Sequence, residues 1–173
     1  MITRTLESRL RELATRIPIL TVLGPRQAGK TTLARAAFPH YKYVNLESLR
    51  YRDYAREDPV GFLGQYSGGV IIDEVQRAPD LLSEIQVVAD ESRENGRFVL
   101  TGSQNILLME SISQSLAGRT IISKLLPFSV EELTAAAWLP QSASQAIFQG
   151  FYPRLYDQEL SVLDWMPSYI ETY

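Results

Sequence analysis

Blocks of apolar residues alternate along this chain with amphipathic stretches, in an order that predicts strands and helices in turn. Residues 17–23 form a nearly continuous apolar run, which is typical of a strand buried on both faces of a parallel sheet. Four further strands are predicted at residues 41–46, 70–73, 98–101 and 121–126. Helices are predicted at residues 30–38, 79–95, 105–116 and 129–138. This order favours an α/β fold of three layers, in which helices cover both faces of a mostly parallel five-stranded sheet.

An amphipathic helix is predicted before the first strand, over about residues 3–16. Its apolar positions recur at helical spacing: Leu6, Leu10, Leu13 and Ile17. Thr3 or Thr5 could cap its first turn. Its polar side carries four arginines: Arg4, Arg9, Arg11 and Arg16. The favoured interpretation of these arginines is a solvated face, and a contact with nucleic acid is the alternative.

The length of 173 residues suits one ordinary domain, and an apolar share of 45% is enough for a buried core. No apolar run approaches the roughly 20 residues that span a bilayer, and charges occupy the N-terminal positions where a signal peptide would be apolar. Cysteine is absent, which excludes disulfides and thiolate metal sites. We therefore expect a cytoplasmic protein without membrane contact. The net charge of -3 argues against attraction of nucleic acid by the whole domain and leaves only a local patch.

A glycine-containing segment directly after the first strand has the pattern of a phosphate-binding loop. It consists of Gly24, Pro25, Arg26, Gln27, Ala28, Gly29, Lys30 and Thr31, followed by Thr32. Glycines let the backbone wrap around phosphate oxygens, and the next helix presents free N–H groups and its positive dipole end to the same anion. Lys30 can reach the β- and γ-phosphates, and the Thr31 hydroxyl can ligate Mg2+. A glycine turn with an exposed lysine is the alternative.

A pair of acids ends the strand at residues 70–73. The carboxyl ends of parallel strands meet at one edge of the sheet. Asp73 is therefore predicted to lie beside the phosphate loop and to hold Mg2+, usually through water. Glu74 can then orient and deprotonate a water molecule for attack on the γ-phosphate. The alternative is that the two acids cap the next helix or face solvent.

Two further polar groups are candidates on less specific patterns. Ser103, with Gln104 as the second choice, follows the fourth strand and could contact the γ-phosphate or the attacking water. A turn with a helix cap at Ser103 or Asn105 is the alternative. Arg119 precedes the fifth strand, from where its guanidinium could project toward the nucleotide of a neighbouring subunit. The alternative for Arg119 is an arginine stabilised near a helix C-terminus by the dipole.

Several segments together resemble a widespread group of prokaryotic AAA-type ATP-binding proteins. They are residues 24–32, 72–76 (Ile-Asp-Glu-Val-Gln), 100–104 (Leu-Thr-Gly-Ser-Gln), 116–119 (Leu-Ala-Gly-Arg), 126–132 and 150–154. The resemblance covers essentially the whole chain. It implies an ASCE-type P-loop sheet in which one strand is inserted between the loop strand and the acid strand, giving the order 5-1-4-3-2. It also implies ATP, because the chain has no Asn-Lys-x-Asp segment of the kind that reads guanine.

Members of this group usually continue into a C-terminal domain of poorly understood function, often suspected of nucleic-acid work. The resemblance therefore implies an ATP-binding domain over residues 1–138 and a connecting segment over residues 139–173. That segment is rich in aromatic residues, and Pro140, Pro153 and Pro167 predict little regular structure within it. We expect it to lie across the nucleotide-binding core, or to form an interface with the further domain or another subunit. A full helical lid is expected to have no room after residue 129.

Magnesium-dependent ATP hydrolysis, coupled to a change in an attached domain or partner, is the leading functional hypothesis. Self-association would involve the Arg119 edge or the C-terminal segment. A non-hydrolysing nucleotide switch is the first alternative, although it would not need Glu74. A small-molecule P-loop kinase is the second. Its arginine-rich lid could only be formed by Arg50, Arg52 and Arg56, which follow the second strand rather than a later one.

Overall fold

Five parallel strands form a single sheet in the computed structural model, which describes residues 2–103, 106–158 and 160–172. The strands are β1 Ile19–Gly24, β2 Lys42–Asn45, β3 Val70–Asp73, β4 Phe98–Ser103 and β5 Thr120–Lys124. Their order across the sheet is β2-β3-β4-β1-β5, and all four neighbouring pairs are parallel. The predicted order, with the fourth strand inserted between the first and the third, is confirmed.

One helix precedes the first strand, and further helices lie between the strands and after the last one. They are α1 Leu6–Ala14, α2 Lys30–Ala37, α3 Leu49–Glu57, α4 Pro59–Gly64, α5 Leu81–Ser92, α6 Ile106–Ser115, α7 Val130–Ala135, α8 Ala143–Gln149, α9 Pro153–Asp157 and α10 Val162–Thr172. A single 3-10 turn, Val75–Arg77, follows β3. Within the described residues, no helix combines the length and the apolar character that crossing a membrane requires.

The central strand β1 shows how the sheet separates two apolar layers. Ile19 and Leu23 pack into a cluster that includes side chains of α4, α5 and α6, whereas Leu20 and Val22 pack under α1 and α2. Successive side chains of a strand point to opposite faces, so an uninterrupted apolar strand is what a sheet covered on both sides requires. Each such fully buried side chain stabilises the fold by about 1.5–3 kcal/mol.

The N-terminal helix is shorter than the predicted residues 3–16, since it begins at Leu6 and ends at Ala14. Thr5 stands at its N-cap but makes no capping hydrogen bond. The Thr5 hydroxyl instead donates to Glu132 of α7, at 3.1 Å. A long-range contact therefore replaces the local cap and keeps residues 2–5 outside the helix, against the rest of the domain.

The C-terminal part corrects one expectation, because α7 to α10 occupy much of the chain after residue 129. The prediction of little regular structure was therefore wrong, whereas the absence of a full helical lid with its own phosphate-sensing arginine stays a prediction. Pro153 stands in the first turn of α9, where its missing N–H costs no helical hydrogen bond, and α10 continues through Pro167.

The same C-terminal segment lies against the core, which is one of the two predicted alternatives. The Phe128 N–H donates to the Phe151 carbonyl at 2.8 Å, and the Tyr169 hydroxyl donates to the Arg26 carbonyl of the phosphate loop at 3.2 Å. The division of the chain at residue 138, with a connecting segment toward a further domain, stays a prediction.

Candidate functional site

The phosphate loop connects the end of β1 to the start of α2 at one edge of the sheet. Gln27 and Gly29 both adopt left-handed backbone conformations, with φ of 61° and 91°. Glycine takes this conformation without a steric cost, and such turns orient successive N–H groups toward a common centre. Helix α2 begins directly after Gly29, so its unpaired first-turn N–H groups face the same place. The local geometry is that of an anion-binding loop.

Lys30 supplies the positive charge of this loop. Its Nζ donates to the carbonyl oxygens of Gly24 at 3.1 Å and Pro25 at 2.9 Å, and the residue is only 5% exposed. Burial lowers the pKa of Lys30, while the negative charges of Glu74 and Asp73 oppose that effect. The ammonium group therefore stands between the loop and both acids.

Asp73 is the residue at which the sheet edge and the loop meet. Its Oδ2 accepts hydrogen bonds from the Thr31 hydroxyl at 2.7 Å and the Tyr43 hydroxyl at 2.8 Å, and its Oδ1 accepts one from Thr101. The residue is 3% exposed. Three hydroxyl donors therefore hold a buried carboxylate in one orientation. One of them is Thr31, which together with Asp73 is predicted to hold Mg2+.

Tyr43 and Thr101 were not among the predicted site residues. Thr101 lies within a buried strand, where a hydroxyl almost always has a partner, and that was a usable signal. Tyr43 could be found only through the sheet register, because Asn45 pairs with Asp73 and strand alternation places Tyr43 on the same face as Asn45. Burial and the hydrogen bond to Asp73 raise the pKa of Tyr43, so its hydroxyl stays protonated and donates.

Glu74 and Ser103 lie at the same sheet edge. Glu74 has a left-handed backbone, with φ of 56°, and its Oε2 accepts a hydrogen bond from the Gln76 Nε2. Ser103 ends β4 opposite Gly24, and its buried Oγ has no hydrogen-bond partner. The structure thus places Ser103 between the ends of β1 and β3, as predicted. Gln104 and the possible cap Asn105 lie outside the described residues.

Arg119 lies at the opposite edge of the sheet, where β5 begins. Its guanidinium binds the Asp90 carboxylate of α5 through two hydrogen bonds, Nε to Oδ1 at 2.6 Å and Nη2 to Oδ2 at 2.8 Å. This ion pair lowers the pKa of Asp90. Arg119 therefore does not reach the phosphate loop of its own chain, and a role at a neighbouring nucleotide stays a prediction.

Arg4 corrects the interpretation of the N-terminal arginines as a solvated face. Arg9, Arg11 and Arg16 are exposed, but Arg4 is 8% exposed. Its guanidinium donates to Glu132 at 3.0 Å and to the carbonyl of Ala28 in the phosphate loop at 2.9 Å. Arg4 precedes α1, so the helical periodicity that places the other three in solvent does not apply to it.

A small cavity of about 110 Å³ opens beside the start of α2. Its walls come from the phosphate-loop side, the N-terminal segment and the C-terminal part of the chain. They include Gly29, Thr32, Ile2, Arg4, Phe128 and Pro153. The lining combines polar and apolar groups in similar proportion, and its position beside the phosphate loop suits a heterocyclic ring that also carries polar atoms.

The oxygen donors at the loop fit a magnesium ion bound together with phosphates. Within the described residues, no group of three or more His, Cys, Asp or Glu side chains could hold a metal ion by itself. Thr31 and Asp73 instead offer one hydroxyl and one carboxylate in contact. Mg2+ is usually bound in this way, through one or two carboxylates plus substrate phosphates and water.

A family model described as an AAA domain matches residues 16–134, which is more than half of the chain. The chain belongs to this AAA domain family. Two curated relatives are similar to it: uncharacterized protein Rv2008c of Mycobacterium tuberculosis and uncharacterized protein Mb2031c of Mycobacterium bovis. Each is 36% identical over 135 residues, which covers 78% of this chain and 31% of the relative. The matched region is therefore about a third of those proteins.

Several solved structures share the fold of this AAA domain. AMPPCP-bound DnaA from Aquifex aeolicus superposes with a TM-score of 0.60 at 13% identity, covering 96% of this chain and 62% of that one. The Walker-type ATPase paby2304 of Pyrococcus abyssi gives 0.58 at 17% identity, with 99% and 72% covered. The STAND protein PH0952 from Pyrococcus horikoshii gives 0.56 at 14%, with 99% and 33% covered. At these identities the likeness concerns the fold.

Proposed function

We propose that this AAA domain binds ATP with Mg2+ and hydrolyses it. The observation that carries the proposal is the contact between the Thr31 hydroxyl and the buried Asp73 carboxylate, at 2.7 Å. It joins a loop shaped for phosphate to the sheet edge that also carries Glu74. A phosphate site, a pair of oxygen donors for Mg2+ and a carboxylate base are the groups that ATP hydrolysis requires in P-loop enzymes.

Each group has one task in the proposed reaction. The loop N–H groups and Lys30 bind the β- and γ-phosphates, and Thr31 and Asp73 hold Mg2+ directly or through water. When bound, Mg2+ neutralises charge on the β- and γ-phosphate oxygens. Glu74 accepts a proton from the attacking water as the bond from water oxygen to Pγ forms. The bond between Pγ and the bridging oxygen breaks, and its electron pair leaves with ADP.

We place the base of the nucleotide in the cavity beside α2. The cavity begins at Gly29 and Thr32, directly next to the proposed phosphate site, and Phe128 and Pro153 supply apolar parts of its walls. Pro153 belongs to α9, so the C-terminal helices would contribute to nucleotide binding rather than merely follow the domain. The affinities for ATP and GTP, measured side by side by calorimetry, test whether this cavity selects adenine.

The release of phosphate separates the proposed ATPase from the two other functions considered. An ATPase releases phosphate from ATP and Mg2+ alone. A nucleotide switch binds ATP without appreciable turnover, and a small-molecule kinase consumes ATP only when an acceptor is supplied. ATP consumption should therefore be followed with and without a panel of small acceptors. Tight binding without phosphate release in either condition would overturn hydrolysis.

Lys30→Ala is expected to remove most of the stabilisation that ATP and Mg2+ give to the domain. A ligand that binds only the folded state at about 100 times its Kd stabilises it by roughly 2.7 kcal/mol, or about 5–10 °C in Tm for a domain of this size. Loss of the ammonium removes the charge that meets the β- and γ-phosphates. Lys42→Ala, at an exposed position of β2, is the control and should keep the full shift. An unchanged shift in Lys30→Ala would place the nucleotide elsewhere.

Arg119 and Asp90 offer a pair of variants that separates an action on a neighbouring subunit from a structural role. If Arg119 acts on a neighbour's nucleotide, Arg119→Ala should lower phosphate release by roughly tenfold or more, with ATP binding unchanged. Asp90→Asn weakens the same ion pair but frees the guanidinium, so it should raise phosphate release or leave it unchanged.

The concentration dependence completes this test of Arg119. Wild-type specific activity should rise with protein concentration, because the neighbour supplies the arginine. Equal losses in Arg119→Ala and Asp90→Asn, with activity independent of concentration, would assign the pair to stability alone.

A further inference from the structure

Two buried side-chain oxygens without hydrogen-bond partners occur at the proposed hydrolysis site. In the described part of the chain, four buried side-chain nitrogen or oxygen atoms lack a partner: Arg52 Nε, Gln76 Oε1, Arg97 Nε and Ser103 Oγ. Native proteins leave few such atoms unsatisfied, and a bound water or ligand is a common reason for those that remain. The Gln76 amide contacts Glu74, and Ser103 stands at the end of β4. The two unpartnered oxygens therefore belong to the same edge of the sheet.

Gln76 is directed to this place by the turn that follows β3. Glu74 has a left-handed backbone, and the next residue, Val75, is fully buried in the core. The 3-10 turn then returns Gln76 toward the sheet edge, where its Nε2 donates to the Glu74 Oε2. A carboxylate only accepts hydrogen bonds, so the nitrogen of the Gln76 amide, and not its oxygen, is the atom that contacts Glu74.

The oxygen of Gln76 faces the end of β4 at Gly102. A Cβ added at Gly102 would lie 2.5 Å from Gln76 Oε1, closer than real Cβ contacts. The absence of a side chain at Gly102 is therefore what gives the Gln76 amide its position. Ser103, with its unpartnered hydroxyl, is the next residue of the same strand. The two free oxygens and the Glu74 carboxylate thus belong to neighbouring elements at one edge of the sheet.

We propose that Gln76 positions the attacking water for hydrolysis, together with Glu74. This inference rests on the proposed ATP hydrolysis. The water molecule has two protons: Glu74 receives one of them, and Gln76 Oε1 accepts a hydrogen bond from the other. A lone pair of the water oxygen forms the bond to Pγ, while the bond from Pγ to the bridging oxygen breaks and its electrons leave with ADP. The Gln76 Nε2 keeps the Glu74 carboxylate oriented for the proton.

Gln76→Met tests this role, because methionine keeps the length of the side chain and removes both polar atoms. We expect single-turnover hydrolysis to fall by roughly tenfold to a hundredfold, below the usual range for a general base because Glu74 remains. The Kd for ATP and Mg2+ and the Tm should stay close to wild type, whereas a merely structural role would lower stability and binding as well.

The double variant Glu74→Gln/Gln76→Met provides a second readout. When two residues act together on one water molecule, the rate losses of the two single variants do not multiply in the double variant. The double variant should therefore be no more than about threefold slower than Glu74→Gln alone. If the rate loss of the double variant equals the product of the two single losses, the residues do not share a water molecule and the inference is overturned.

Gly102→Ala approaches the same question through the backbone, since its methyl group would displace the Gln76 amide. It should reproduce the rate loss of Gln76→Met. Gly68→Ala is the matched control, because a Cβ there meets no atom within 4 Å. If Gly102→Ala does not fold, the hydrolysis rate of Gln76→Met alone tests the inference.

A wild-type protein that binds ATP without turnover overturns the proposed function and this inference with it. Wild-type turnover together with a normal rate in Gln76→Met overturns this inference alone.

Discussion

Glu74→Gln is expected to lower the rate of ATP hydrolysis by roughly 100-fold or more while ATP and Mg2+ still bind. The amide keeps the shape of the side chain and can still accept the hydrogen bond from Gln76 Nε2. It cannot take a proton from water at neutral pH, so only the chemical step is lost. Single-turnover phosphate release and calorimetric ATP binding, measured on the same preparation, give the two quantities separately.

Two comparison variants sharpen this result. Glu57→Gln changes an exposed glutamate at the end of α3 and should hydrolyse ATP at the wild-type rate. Asp73→Asn should mainly weaken the magnesium-dependent part of ATP binding, since it removes a charge that Thr31, Tyr43 and Thr101 hold in place. If Glu74→Gln hydrolyses ATP at the normal rate, another group is the base.

Arg4→Met is expected to lower the free energy of unfolding by roughly 3 kcal/mol or more, because it leaves the Glu132 carboxylate buried without its ionic partner. The two side chains are 9% and 3% exposed. Burial acts to raise the pKa of Glu132, but hydrogen bonds from the Ser129 and Thr5 N–H groups and from Arg4 outweigh it and lower that pKa. Urea denaturation at neutral pH measures the loss.

The controls for Arg4 come from the same part of the chain. Arg9→Met breaks an exposed ion pair with Glu12 on α1 and should change stability very little. Arg4→Met/Glu132→Gln removes the stranded charge and should recover part of the loss. Arg4→Met should also weaken ATP binding, because Arg4 holds the Ala28 carbonyl of the phosphate loop at 2.9 Å. Equal stability of Arg4→Met and Arg9→Met would mean that Glu132 does not need the pair.

The elements that carry the site could be predicted because their signals are local. The run at residues 17–23 is apolar without alternation, and only a strand covered on both faces buries such a run. The loop glycines and Asp73 each come at the end of an apolar strand. Both therefore mark the carboxyl edge of the parallel sheet. The order β2-β3-β4-β1-β5 is different, because it came from the resemblance to a family and not from the periodicity of the chain.

The role of Arg4 could not be predicted because its partners are far away in sequence. Glu132 is 128 residues from Arg4, and nothing near residue 4 distinguishes this arginine from the exposed ones on α1. Tyr43 is a similar case, since its hydroxyl meets Asp73 only through the pairing of β2 with β3. Side chains that act across strands and helices are chosen by register and packing, which local patterns do not contain.

The sequence by itself determined where the loop, the strands and the acids lie along the chain, because backbone conformation and apolar periodicity depend on neighbouring residues. The tertiary structure alone decided what these groups contact. It turned Gln76 back toward Glu74, buried Arg4 beside the loop, paired Arg119 with Asp90 and brought the C-terminal helices to the phosphate side. Such contacts depend on the free energy of burying polar groups with suitable partners, and those partners are adjacent only after the chain has folded.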